Sequence, residues 1–349
     1  MEDIAAHNLE GRILQQGWKV LKKQEKNTGD TGGTFSVCYE VEKVGKKYFM
    51  KAFNINGFIA VLGTSKTFME YMHEMSTAFQ YEKKLSEYCQ DHRVTKISFV
   101  IDSGEENMSG YTFPIVPYLI FNMADGDVRN KLNYSKTLDF SWKLKSLHDI
   151  AVGIKQLHGI NVSHQDIKPS NILLFKSESK IGDLGRSMCP ALSGPYDNMP
   201  FSGDKAYSPP EVWYLDQQPE WHERNYSIDC YLLGSMITYY ISGISMSAHL
   251  KKNIDLLNPT GLSTSFKNDE PYLLNAFNTA LTEIKTIIPV ESLKAEIIQL
   301  IEFLCHPNPE KRGHPQSIKI KGSNYSLERF VSQLNILHRK AELALLTIA

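Results

Sequence analysis

The sequence predicts an α+β protein of two lobes, a small antiparallel sheet carrying one long helix and then a larger, mainly helical lobe. Three observations predict it. Aromatic and β-branched runs bounded by Gly and Asn recur between residues 17 and 54 and again between 96 and 121. Between them, from Ser65 to Asp91, apolar residues return at spacings of three and four. After a polar break at Asn122 to Arg129, helical spacing dominates to the end of the chain. A chain of 349 residues suits two such units. The expected division is an extension over 1–14, a small lobe over 15–121, and a hinge with the large lobe over 122–349.

Taken in order, Gly17-Trp18-Lys19-Val20-Leu21 reads as the first strand, Phe35 to Val44 as the second, and Tyr48 to Phe53 as the third, with a turn around Gly45-Lys46-Lys47 between the last two. Phe68, Met72, Met75, Phe79 and Leu85 give one face of the long helix. Lys96 to Ile101 and Gly110 to Phe121 read as two further strands. Leu144, Leu147, Ala151, Ile154 and Leu157 share a helical face, with Ser141 as N-cap and Gly159 as stop. Near the end, Leu327, Phe330, Leu334, Leu337, Ala341 and Leu345 form an amphipathic helix, started by Asn324 or Ser326, that should pack on the large lobe.

Composition narrows the function. With 42% hydrophobic and 22% charged residues the chain is expected to be a soluble globular protein. A net charge of −1 gives no basic field for nucleic acid or an anionic membrane. Cys38, Cys89, Cys189, Cys230 and Cys305 are scattered, as reduced cytoplasmic thiols would be. The start, Met1-Glu2-Asp3-Ile4, has no signal-peptide pattern. Cys230 to Leu250 holds no Asp, Glu, Lys or Arg, yet its Ser, Thr, Gly and Tyr content reads as a buried core helix rather than a membrane span.

The chemistry concentrates in Ser163-His164-Gln165-Asp166-Ile167-Lys168-Pro169-Ser170-Asn171, where an acid, a cation and an amide fall within six residues. Asp183-Leu184-Gly185 follows, then Ser208-Pro209-Pro210-Glu211. In that order these segments resemble the signature series of eukaryotic-type Ser/Thr protein kinases, over roughly residues 15 to 345. The resemblance implies the bilobal kinase fold, ATP with Mg²⁺ (Mn²⁺ as the alternative), and transfer of the γ-phosphate to a hydroxyl of a protein substrate that the sequence does not identify. It implies Asp166 as catalytic base, Lys168 on the γ-phosphate, and Asn171 and Asp183 as metal ligands. Lys51 resembles the strand lysine that holds the α- and β-phosphates. Glu82 is its expected helix partner, with Glu74 and Glu70 as alternatives and an insertion around Ile55 to Thr67. Phe121 and Met123, after Ile120, are expected to offer backbone groups to adenine, and Asp127 to meet the ribose. Glu211 and Arg312 match a buried ion pair, Asp229 a brace for the catalytic loop, and His164 a scaffold histidine.

Three departures stand out. In Thr31-Gly32-Gly33-Thr34-Phe35-Ser36-Val37-Cys38, Gly33 and Phe35 fit the phosphate-covering loop, while Thr31 and Ser36 replace glycines and Cys38 replaces a valine. A shifted alignment uses Gly29 or Gly32. Gln165 stands where regulated kinases carry an arginine that pairs with a phosphate on the activation segment. Activity is therefore expected to survive joint replacement of Ser187, Ser193, Tyr196 and Ser202 by Ala. Asp204 replaces the threonine that contacts Asp166 and Lys168, either pairing with Lys168 or favouring a basic substrate. The compact layout resembles that of bacterial or phage-associated members. A nucleotide-binding pseudokinase or scaffold, and a small-molecule phosphotransferase, are the competing readings.

Overall fold

The structure is a computed structural model that describes residues 4–25, 35–63, 66–134, 139–216, 218–257, 262–320, 322 and 324–346. The expectations for Gly29, Thr31, Gly32, Gly33 and Thr34 lie outside the described residues.

The small lobe begins with strands β1 (Lys19–Lys23), β2 (Ser36–Lys43) and β3 (Lys46–Phe53). Helices α1 (Ile55–Leu62) and α2 (Phe68–Asp91) come next, and strands β4 (Val100–Asn107) and β5 (Ile115–Asn122) follow them. The sheet is antiparallel in the order β1-β2-β3-β5-β4. Residues 4–14 are more than an extension. Leu9 and Leu14 are buried with Tyr39, Met50 and Tyr118, and the Tyr39 hydroxyl donates to the Ala6 carbonyl. The expected insertion is a helix, α1, started by the Asn54 side chain. Thr67 and Glu70 form a capping box at the head of α2, two orphan backbone donors being satisfied by one reciprocal pair.

The strand expected over Lys96 to Ile101 is displaced. Ile97 bridges Ile181 of the large lobe, and the Ser98 amide donates to the Ile181 carbonyl. The true strand β4 reads Val-Ile-Asp-Ser-Gly-Glu-Glu-Asn and lies at the sheet edge. Its residues need no apolar alternation there, which hid it. Likewise Gly110 to Pro114 is irregular, and β5 begins only at Ile115.

The large lobe opens with strand β6 (Gly126–Asp127), then α3 (Val128–Tyr134) and α4 (Phe140–His158). Strand β7 (Ile172–Phe175) pairs with β6 on one side and with β8 (Glu178–Ile181) on the other. Helices α5 (Pro210–Trp213), α6 (Trp221–Ser242), α7 (Met246–Leu257), α8 (Phe266–Ile287), α9 (Lys294–Cys305), α10 (Pro315–Ile318) and α11 (Glu328–Leu346) complete it. Asp139, not Ser141, caps α4, accepting from the Ser141 amide. Ser141 is already inside the helix, where its hydroxyl pairs with His338 of α11. Phe330, Leu334 and Leu337 of α11 are buried in the large-lobe core, as their spacing requires. The charge-free stretch is two elements, because α6 ends at Gly243 with φ 82° and α7 starts afresh. Both are core. No helix among the described residues is long and apolar enough to cross a membrane.

His306, which ends α9, gives the lobe a pH dependence. Its Nδ1 accepts from the Asn308 amide. Burial first, then the Arg312 and Lys311 charges, hold the imidazole at about 4 against an ordinary 6.5, opposed by the Asn308 carbonyl, 3.2 Å from Nδ1, which would accept from the protonated ring. A histidine whose value drops on folding stabilises the fold when neutral. That contribution is complete above about pH 6.5 and is lost as pH falls through 4. Thermal midpoints should therefore decline between these limits, and the decline should be shallower in His306→Asn. Parallel curves for the two proteins would refute the assignment.

Candidate active site

The catalytic loop is shaped from below by α6. Asp229, fully buried, accepts from the amides of His164 (2.8 Å) and Gln165 (2.9 Å), from the Ser163 hydroxyl (2.8 Å) and from His158 Nε2 (3.0 Å). Burial works against its charge, but the His158 bond and the backbone donors hold its carboxyl below the usual range. These bonds fix Gln165 in a left-handed conformation (φ 66°). His164, also buried, donates Nε2–H to the Gly182 carbonyl at 3.0 Å and so ties the loop to the chain entering Asp183.

Asp166 projects from this support. Asn171 Nδ2 donates to its carbonyl (2.9 Å) and to Oδ2 (3.0 Å), Lys168 lies 3.2 Å from Oδ2, and the Asp204 amide donates to Oδ1 at 2.9 Å. Burial, with the Asp183 charge adding to it, raises the Asp166 carboxyl despite Lys168 and His164. Lys168 is shared, since its Nζ also lies 3.2 Å from Asp204 Oδ2. Of the two expectations for Asp204, the ion pair is the one formed. The approach of Asp204 depends on Gly203, because a Cβ there would overlap the Gln165 carbonyl oxygen.

Across the cleft, Lys51 of β3 joins both lobes. Its Nζ is 3.0 and 2.8 Å from the two Glu82 carboxylate oxygens and 2.8 Å from Asp183 Oδ1. Desolvation pulls the ammonium down, but Asp183 and Glu82 override it and hold Lys51 above its ordinary value. Lys51 in turn keeps Asp183 at about 2 in spite of burial, while its carboxylate stays 43% exposed. Glu82 is therefore the partner. Glu74 binds Lys66 and Glu70 serves the α2 cap. Gly185 lets this contact form, since a Cβ there would stand 3.0 Å from Glu82 Oε2. Leu184 is buried in the large-lobe cluster beside Tyr81 and Leu85 of α2.

The remaining predicted residues fall less simply. Cys38 pairs in register with Lys51, so both side chains share one face of the sheet. Phe35 packs its ring on Phe58 of α1 at 4.6 Å. Phe121 lies one residue from the end of β5, close to where the sequence reading ends that strand. It pairs with Phe49, its ring against Phe49 at 6.3 Å, and the connection starts at Met123. Asp127 Oδ1 accepts from the Asn130 amide at 2.9 Å and so heads α3. Arg186 was not singled out by sequence. Its guanidinium lies over Phe35 at 5.2 Å and Tyr196 at 4.8 Å, contacts that leave no periodic trace.

Gln165 is buried and turned inward, its Nε2 donating to the Ser163 hydroxyl at 2.7 Å. Neutral and engaged, it offers no charge to a phosphate. The fourfold alanine replacement is a poor test of this, because Tyr196 and Ser202 both hold Arg186 (the Ser202 hydroxyl donates to its carbonyl). Phosphatase treatment is cleaner. The treated protein should keep its kcat within about twofold. A loss of tenfold or more would show that a phosphate supports the site.

Lobes, cleft and paired charges together define the class. The family described as Protein kinase domain matches residues 32–321, and the chain belongs to it. It is similar to cyclin-dependent kinase-like 2 of Pongo abelii, 28% identical over 211 residues, which are 56% of this chain and 40% of that protein. It is similar to a serine/threonine-protein kinase of Saccharomyces cerevisiae, 30% identical over 128 residues, 31% of this chain and 15% of the relative. A dual serine/threonine and tyrosine protein kinase of Strongylocentrotus purpuratus is 27% identical over 177 residues, 50% of this chain and 16% of the relative. In each case the matched region is less than half of the relative's own length.

Proposed function

We propose that the chain transfers the γ-phosphate of ATP to serine or threonine hydroxyls of proteins. The observation that carries this is the double engagement of Lys51 by Glu82 and Asp183, facing an Asp166–Lys168–Asn171 group already in hydrogen-bond contact. Phosphoryl transfer asks mainly for positioning and charge neutralisation. Lys51 steadies the inner phosphates, and Lys168 meets the transferred one. Asp166 accepts the hydroxyl proton as the oxygen attacks.

The donor set fits Mg²⁺. Asn171 spends its amide hydrogens on Asp166, which leaves its side-chain oxygen, 3.5 Å from the Ser170 hydroxyl, as the cation donor, and Asp183 contributes an exposed carboxylate. When bound, the ion would supply positive charge against the phosphates. Lys168 beside the base supports Ser/Thr over Tyr acceptors. Five free cysteines are consistent with a cytoplasmic setting.

The test is transfer from labelled ATP and Mg²⁺ to a generic protein substrate, followed by phosphoamino-acid analysis. Label on serine and threonine is expected. Label chiefly on tyrosine would overturn the acceptor class. Bound ATP without transfer would make the chain a pseudokinase, and label confined to small molecules would make it a small-molecule phosphotransferase.

A further inference from the structure

With Gln165 neutral and buried, something else must order the segment between Asp183 and Glu211. Arg186 is placed to do so. It follows Gly185 directly, and its guanidinium is stacked between Phe35 of the small lobe and Tyr196 of the segment, at 5.2 and 4.8 Å from the ring centroids. Two reciprocal bonds tie it to the far end of the same segment. Its Nη1 donates to the Ser202 carbonyl at 3.2 Å, and the Ser202 hydroxyl donates to its own carbonyl. The column continues upward, because Phe35 packs on Phe58 of α1. One cation thus joins the insertion helix, the edge of the phosphate loop and both ends of the activation segment.

We propose that Arg186 is the positioning residue that orders the activation segment, its stacking between Phe35 and Tyr196 replacing a phosphate-arginine pair. This rests on the protein-kinase reading above and says how that same site is kept ready for its acceptor. The ring of Tyr196 matters and its hydroxyl does not. A planar guanidinium held over two aromatic faces is a contact that lysine reproduces poorly.

The test uses the full chain and three variants, Tyr196→Phe, Tyr196→Ala and Arg186→Leu. Tyr196→Phe keeps the ring and removes the phosphorylatable group, and it should match wild type in kcat and in KM for the protein acceptor. Tyr196→Ala and Arg186→Leu should raise that KM about tenfold. Both should also admit limited proteolysis between residues 190 and 202, with ATP affinity and thermal midpoint close to wild type. A merely structural role would lower the midpoint and ATP affinity together. An inactive Tyr196→Phe would overturn the proposal, since the hydroxyl or its phosphate would then be needed. So would an Arg186→Leu protein with unchanged acceptor KM and an uncut segment. Wild-type protein that transfers no phosphate, while Arg186→Leu still opens the segment to protease, would instead overturn the kinase reading and leave the clamp standing.

Discussion

Asp166→Asn should lower turnover by about 10²–10⁴-fold, the usual contribution of a general base, with the fold intact. The fold survives because little is left unpaired. An asparagine at 166 still accepts from the Asp204 amide, and Lys168 keeps the Asp204 carboxylate at 3.2 Å as its anion. The loss is therefore chemical. The pH profile gives an independent check. Burial and Asp183 raise the Asp166 carboxyl from its ordinary 3.8, and a base works only when deprotonated. Wild-type kcat should fall on acidification in a limb lying above that ordinary value, and the limb should vanish in the variant. A limb in the ordinary carboxylate range would mean that burial does not govern this group.

Glu211→Ala carries the largest expected cost in stability. Arg312 is fully buried, with Nη1 and Nη2 at 2.7 and 2.9 Å from the Glu211 oxygens. It also donates to the carbonyls of Ser227 and His306. Removing the carboxylate strands a guanidinium in the core, at roughly 3–5 kcal/mol. Arg312→Leu should cost a similar amount by stranding the anion. Combining Arg312→Leu with Glu211→Leu should recover part of the loss, since neither charge then remains. Recovery stays incomplete because the Ser227 and His306 carbonyls lose a donor. Urea denaturation followed on the large-lobe transition measures all three. A Glu211→Ala protein within about 1 kcal/mol of wild type would show that the pair is not the brace it resembles.

Where one residue's chemistry or periodicity decides, the sequence was readable. The catalytic segment could be read because Asp, Lys and Asn recur there in a fixed order, and the last helix because its buried face repeats cleanly. The residues around Glu82 favour it over Glu74 and Glu70, and the Lys51 contact agrees. Edges and local competition were harder. The polar edge strand β4 carries no alternation, while the apolar run before it pairs with the other lobe. Asp139 outcompeted Ser141 as cap by a two-residue offset that periodicity does not resolve. The end of β5 runs one residue past Phe121, because strand length is fixed by pairing with Phe49 and Tyr48 and not by its own residues. Arg186 leaves no mark in the sequence, since one ring partner lies in the small lobe and the other ten residues along an irregular segment.

The four donors gathered by Asp229 have a kinetic consequence. The amides of His164 and Gln165 lie 65 and 64 positions from the carboxylate that receives them. Local chain preferences do not supply that left-handed turn, so the loop takes its reactive shape only when α6 has docked. Reactive geometry is then among the last things gained in folding. Any opening that frees α6 dissolves the loop with it, so its amides are expected to exchange with solvent only through the rarest and most extensive openings of the large lobe.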